Sequence, residues 1–359
     1  MLGSDQQVST LGPDNDGDIQ FTTAPSCTSD LGLTSLSGNC GEDTEIFLTC
    51  FVNGLGSNSP NQETILGISN SFTSSSPVTV YSTQDQTGSV WGLAYRQGFD
   101  ELYTSAFVKQ HASLGAGGIG ALYRTDISST PSTSMFVDLT QLGQNVGNLA
   151  PANTANCNYG NQVGTVGLGG MAIDDTGSTL YVANLFTKSI VGVNIANPTA
   201  ANTQSFNVPN PGCNDGSYEI FAVTNFNGFI YVGVTCTGEA SQNETNTSMH
   251  VYELNPGNGQ FSLVFSDNYS YGFWSDANIA GLQTQQWLTD IAFTEDGNMI
   301  LALSDRLGHS FCNASTSRID DQFGDILIAS QSGNRWVLEN NGQIPGLTGT
   351  GVGLSLIHI

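Results

Sequence analysis

One hairpin unit recurs four times along this chain. It runs from Trp91-Gly-Leu-Ala-Tyr95 to Leu102-Tyr-Thr-Ser-Ala106, and again from Gly169-Gly-Met-Ala-Ile173 to Leu180-Tyr-Val-Ala-Asn184. The third copy joins Ile220-Phe-Ala-Val-Thr224 to Ile230-Tyr-Val-Gly-Val234, and the fourth joins Thr289-Asp-Ile-Ala-Phe293 to Ile300-Leu-Ala-Leu-Ser304. Each copy is a short apolar strand, a turn bearing Gly or Asp, and a second strand of alternating pattern. A repeated hairpin buries its faces only by stacking on its neighbours, and the simplest architecture of that kind is a β-propeller. The expectation is an all-β chain with about five visible four-stranded antiparallel blades, truncated from a six- or seven-bladed ring, and essentially no long helix.

The repeat divides the chain into a polar lead-in at 1–44, a β-propeller domain at 45–345 and a tail at 346–359. The first blade is read at Glu45–Val52, Glu63–Ser69 and Val78–Ser82, and the others at Val90–Thr140, Gly167–Pro209, Tyr218–Ser266 and Trp287–Asn341. The positions read as equivalent, Gly92, Gly170, Phe221 and Asp290, lie 78, 51 and 69 residues apart. A bare blade needs only ~40–45 residues, so the connecting loops carry insertions. Leu354-Ser-Leu-Ile-His-Ile359 reads as the in-frame translation of a transposon end used in sequencing libraries. Met1-Leu-Gly-Ser-Asp5 lacks the basic start and apolar core of a signal peptide, which predicts a truncated amino terminus.

Composition narrows the partners. Seven Lys and Arg face 31 Asp and Glu, a formal charge of −24. Such a surface repels phosphate backbones, so no nucleic acid is expected, and it attracts divalent cations. No apolar run approaches the ~20 residues of a span, so no membrane insertion is expected. The low charged fraction, with abundant Gly, Ser, Thr and Asn, suits an extracellular or cell-surface location. None of the seven cysteines falls in a metal-ligand spacing, and scattered cysteines suit disulfides in an oxidising compartment. Cys213 precedes the fourth blade and Cys236 ends its second strand on the same face, so these two are expected to pair. Cys40 and Cys50 are expected to staple the lead-in to the first blade. The odd count leaves one cysteine unpaired or paired outside this sequence.

Alternating strand direction puts the start of each first strand and the end of each second strand on one face. His111 and His309 are equivalent positions just past the second strand, and Lys109, Lys188 and Arg306 fall in the same loops. Asp290 is the only acid among its equivalents, at the expected mouth of the central channel, with Asn184, Asp305 and Arg306 beside it. The functional reading is a ligand site of Asp290, Asn184, Asp305, Arg306, His309, His111 and Lys109. Asp290 and Asn184 are its candidate metal ligands, and calcium is the one cofactor considered. The bland reading is that Asp290 caps a strand turn and that Asp305 and Arg306 pair to order a loop, worth only ~0–1 kcal/mol. No Gly-x-Ser-x-Gly elbow or His-Glu-x-x-His helix is present, so neither a triad nor a zincin site can be built. Gly115-Ala-Gly-Gly-Ile-Gly120 matches a dinucleotide fingerprint, but a strand follows it where a helix is needed. Asp14-Asn-Asp-Gly-Asp18 offers oxygen ligands with its glycine at the wrong offset for an EF-hand. Asp174-Asp-Thr-Gly177 is a hairpin turn.

Certain phrases resemble the amino-terminal propeller region of large bacterial surface proteins that carry serine-aspartate-repeat B-type domains. They are Gly92-Leu-Ala-Tyr95, Gly117-Gly-Ile-Gly-Ala-Leu-Tyr-Arg124, Leu180-Tyr-Val-Ala-Asn-Leu-Phe186, Pro211-Gly-Cys213 and Met299-Ile-Leu-Ala-Leu-Ser-Asp-Arg-Leu-Gly-His309, followed by Gly324-Asp-Ile-Leu327. The resemblance implies an exported, surface-attached protein and transfers no catalytic residue. Two function classes remain. One is a non-enzymatic surface module that binds a glycan or protein ligand on its loop-rich face. The other is a calcium-dependent propeller hydrolase of the gluconolactonase kind, which needs more acidic and amide ligands on the axis than the sequence offers.

Overall fold

The computed structural model describes residues 45–50, 52, 60–69, 77–110, 112–128, 130–149, 159–268, 272–275, 284–294, 297–310, 324–333 and 335–339. His111, Cys27, Cys40, Cys157, Cys312, the Asp14–Asp18 segment and the 346–359 tail lie outside the described residues. Two compact units can be distinguished, Met1–Leu48 with Ile65–Val80, and Thr49–Thr64 with Tyr81–Ile359. The first holds most of a three-stranded sheet ordered β1 (Glu45–Thr49), β2 (Glu63–Ser69), β3 (Val78–Thr83).

The second unit holds four sheets of four strands, each in chain order. They are β4 (Val90–Arg96), β5 (Glu101–Ala106), β6 (Ala121–Asp126) and β7 (Ser132–Asp138); then β8 (Leu168–Ile173), β9 (Thr179–Asn184), β10 (Ser189–Asn194) and β11 (Thr203–Asn207). The next is β12 (Tyr218–Phe226), β13 (Phe229–Thr237), β14 (Thr247–Asn255) and β15 (Gln260–Asp267). The last is β16 (Gln286–Phe293), β17 (Met299–Asp305), β18 (Gly324–Ser332) and β19 (Arg335–Leu338). The chain is an all-β, five-bladed propeller, as its repeat predicts. Its described α-helices, α1 (Gln84–Thr87) and α2 (Leu307–Ser310), are four residues each. No described helix is long and apolar enough to cross a membrane.

The first strands β4, β8, β12 and β16 pack side by side in that order. The second strand β9, covered by a blade on each face, is apolar almost throughout: Leu180, Tyr181, Val182 and Ala183 are all buried. Between blades the two facing sheets interdigitate. Leu180, Val182, Val191 and Val193 pack with Tyr103 and Leu122, while Ala222, Tyr231, Met249 and Val251 pack with Leu288, Ile291, Leu301 and Leu303.

All four first strands carry the same irregularity. The register jumps between Val90 and Leu93, Leu168 and Met171, Ile220 and Val223, and Leu288 and Asp290, which sets two residues against one on the second strand. This is a β-bulge, a device that bends a strand and re-aims its side chains. It also corrects the repeat alignment. The second bulge position holds Gly92, Gly170, Ala222 and Asp290, whereas Phe221 shares the first position with Trp91, Gly169 and Thr289. Glycine is required where blades nearly touch. A Cβ on Gly92 would lie 2.7 Å from the Gly169 oxygen, and one on Gly170 would lie 2.8 Å from the Phe221 oxygen.

Candidate functional site

Strand pairing sets the loop-rich face. Val90 pairs with Ala106, Leu168 with Asn184, Tyr218 with Cys236 and Gln286 with Asp305, so those strand ends share one side of the sheets. Lys109, Asn184, Lys188, Cys213, Cys236, Asp305, Arg306 and His309 all belong to this side. Among the described residues, aromatic rings stand where an open polar mouth is expected. Trp91 meets Phe221 at 5.3 Å across non-adjacent blades, and Phe221 meets Trp287 at 4.1 Å. Phe107 lies 5.1 Å from Trp91. The bulges aim Trp91 and Phe221 inward, and together these rings fill the space between the first strands. Their only trace in the sequence is a large aromatic at the first bulge position of two repeats.

His309 belongs to this plug. It is 2% exposed and stands edge-on to Trp91 at 4.9 Å and to Phe107 at 5.4 Å. Burial, with Lys109 nearby, lowers its pKa to about 3, so the ring is neutral. Lys109 is 3% exposed and donates from Nζ to the Val52 carbonyl. Burial pushes its ammonium down to about 6. Both side chains line a cavity of about 50 Å³ together with Thr49, Cys50, Trp91 and Phe107. Cys50 is a free thiol pushed up chiefly by burial, with Glu63 adding. The expected Cys40–Cys50 staple is therefore not formed.

The remaining predicted residues serve the framework. Arg306 is 1% exposed. Its Nε donates to the Val163 carbonyl at 2.8 Å, Nη2 to the Gly160 carbonyl at 3.0 Å, and Nη1 to Gln285 Oε1 and the Ser275 carbonyl. Its guanidinium stacks 4.4 Å over Trp274. Asp305 Oδ1 accepts from the Gln285 and Leu307 amides at 2.8 and 2.9 Å, which holds the start of α2. The expected pairing of Asp305 with Arg306 is replaced by these backbone bonds, because backbone amides and carbonyls that turn through the interior must find partners. Asn184 spends both ends of its amide locally, on the Asn145 carbonyl at 3.1 Å and the Thr187 amide at 3.3 Å.

Asp290 stands apart from the Lys109–His309 cavity, four residues into β16. It is exposed, and its Oδ1 accepts from the Ile291 amide at 2.8 Å. Its carboxyl is nevertheless raised above the usual carboxylate range, by desolvation, with the Ile291 amide working the other way. Both observations hold for a group that water reaches while protein crowds it on several sides. Among the described residues, no three His, Cys, Asp or Glu side chains come together as a metal site would need.

The fourth blade carries the other feature of this face. Cys213 and Cys236 form a disulfide, Cα–Cα 5.4 Å, between the blade connection and the exit of β13. It ties two exposed loops whose polar side chains also grip each other. Asp215 Oδ2 accepts from the Ser241 amide at 3.0 Å and its hydroxyl at 2.9 Å, and Asn214 donates to Asn246 at 3.3 Å. Nearby, Lys188 Nζ donates to Glu219 Oε1 at 3.0 Å and lies 4.5 Å over the Tyr218 ring. Burial still raises the Glu219 carboxyl to about 7, against the pull of Lys188.

No protein-family profile matches the chain. It is 26% identical over 349 residues to Colossin-C of Dictyostelium discoideum, covering 89% of this chain and 34% of that protein. It is 25% identical over 370 residues to Colossin-B of the same organism, covering 92% of this chain and 9% of that protein. The chain thus spans about a third or less of these relatives' length. These findings overturn the expected kinship with bacterial surface proteins: the relatives are eukaryotic. Among solved structures, a chain of a nidogen/laminin complex superposes with a TM-score of 0.42 at 8% identity, covering 78% of this chain and 83% of that one. The periplasmic gluconolactonase of Pseudomonas aeruginosa gives 0.41 at 10% identity, covering 77% and 63%. Likenesses this loose carry no argument about ligand or reaction.

Proposed function

We propose that the chain is an exported, cell-surface binding and adhesion module without catalytic activity, and that its loop-rich face takes a protein or glycan ligand. The observation that supports this reading is the pair of loops around Cys213–Cys236. They are exposed over 239–245 and at Asn210, Gly212 and Asn214, yet they are tied by a disulfide and by Asp215 and Asn214. Ordering a loop before binding removes a cost that association would otherwise bear, so fixed, exposed, polar loops are what a recognition surface needs. The disulfide also suits an oxidising compartment. Asn184, one of the two residues that a hydrolase would place on the axis, spends its amide on the Asn145 carbonyl and the Thr187 amide instead.

The test is to titrate labelled chain onto fixed Dictyostelium discoideum cells, untreated or treated with periodate or protease. Saturable binding is expected, and the treatment that removes it names the ligand class. In the Asn214→Ala/Asp215→Ala variant, with its fold intact by circular dichroism, affinity should drop about tenfold, near 1.4 kcal/mol. Absence of saturable binding, together with calcium-dependent hydrolysis of D-glucono-1,5-lactone that Asp290→Ala abolishes, would replace the module with the hydrolase.

A further inference from the structure

The connection between β13 and β14 carries two overlapping sequons, Asn243-Glu-Thr245 and Asn246-Thr-Ser248. Such a tripeptide accepts an N-linked glycan when it lies on the surface of an exported chain. The sequons at Asn268 and Asn313 extend into residues outside those described. We propose that Asn243 carries an N-linked glycan and that Asn246 does not. The inference rests on the export in the reading above and not on its ligand.

The fold asks different things of the two side chains. Asn243 is exposed, and its amide is held by the oxygen alone, Oδ1 accepting from the Thr245 amide at 3.0 Å. Among the described residues, neither Asn243 Nδ2 nor the hydroxyl of the exposed Thr245 has a hydrogen-bond partner. Asn246 has both ends of its amide engaged. Its Nδ2 donates to Ser241 Oγ at 3.0 Å and its Oδ1 accepts from Asn214 at 3.3 Å, so it joins the two loops of the disulfide face. It is half-buried, and the hydroxyl of its sequon, on Ser248, is buried 2.8 Å from His250 Nε2. A sugar on Asn246 Nδ2 would crowd Ser241 and part the loops, whereas one on Asn243 displaces nothing. Asn243 also leaves the ribosome first, so the order of synthesis and the fold favour the same residue.

The step is a substitution. Asn243 Nδ2 bonds to the anomeric carbon of a lipid-linked oligosaccharide, and the carbon–oxygen bond to the lipid diphosphate breaks. The diphosphate leaves with the bonding pair. One N–H proton passes to a base of the oligosaccharyl transferase, and nothing is oxidised or reduced.

The test is to secrete the intact chain from Dictyostelium discoideum cells behind a cleavable leader. Its peptides are then treated with peptide N-glycosidase in heavy-oxygen water, which turns each glycan-bearing Asn into labelled Asp for mass spectrometry. Above a control without the glycosidase, label is expected at Asn243 and absent from Asn246. Asn243→Gln and Thr245→Ala should each remove it without moving it to Asn246, whereas Thr245→Ser and Asn246→Gln should keep it. An unlabelled Asn243 in the secreted chain, label at Asn246 in the wild type or in Asn243→Gln, or label that survives Thr245→Ala would each overturn the proposal. None of these readouts involves binding to cells, so the loop-face ligand stands or falls separately.

Discussion

Lys109 and Lys188 leave their blades at the same step of the repeat, three residues past β5 and four past β9, and meet opposite surroundings. Lys188 finds Glu219 at the start of the next blade and an aromatic face to lie on. Lys109 finds a carbonyl, an aromatic plug and a neutral histidine. The repeat supplies the place; the partner from another blade decides what a cation does there. Where a carboxylate arrives, the lysine is glue between blades. Where rings arrive, it becomes an amine in a pocket.

Arg306→Ala should destabilise the fold by about 3–5 kcal/mol in urea unfolding, since it strands buried carbonyls of Gly160 and Val163 and opens space beside Trp274. Arg306→Lys should rescue little, because a point charge cannot serve four acceptors in a planar fork. Next in size, replacing Cys213 and Cys236 together by Ser should cost about 2–4 kcal/mol and loosen the loops.

Acid titration sharpens the contrast between the two surroundings. His309 is lowered from 6.5 to about 3 in the fold, so its contribution is present above pH 6.5 and is lost as pH falls towards 3. Glu219 is raised from 4.5 to about 7, so its contribution is full below pH 4.5 and is lost as pH rises through 7. Each group should add a slope of up to ~1.4 kcal/mol per pH unit to the stability curve, with opposite signs. His309→Phe should flatten the first limb and Glu219→Gln the second. If neither substitution changes the curve, both groups are solvated and the buried assignments fail. Smallest of all, Asp290→Ala should change stability by no more than about 0.5 kcal/mol, as for an exposed residue. Calorimetric titration with calcium then decides its role: identical heats for both proteins remove Asp290 as a ligand.

Much of this fold was legible in the chain because a hairpin repeat is a local pattern. Strand pairs such as Leu168–Asn184 and Tyr218–Cys236 follow from it, and so does the Cys213–Cys236 bridge. The site was legible only as a list of residues on one face. Pairing Arg306 with its neighbour Asp305 was the local inference, yet the contacts that hold Arg306 come from Gly160 and Val163, more than a hundred residues away. The one-residue misplacement of Phe221 arose because a bulge adds a residue without changing the pattern around it. That shift hid the aromatic plug, and with it the reason that His309 is neutral.

The most direct test is the titration of Lys109 itself. Trace acetylation of the folded chain across pH, with Lys109 and Lys188 read separately by mass spectrometry, reports when each amine becomes reactive. Lys109 should show a midpoint near 6, and a midpoint near the ordinary 10.5 would contradict its burial in an aromatic surround.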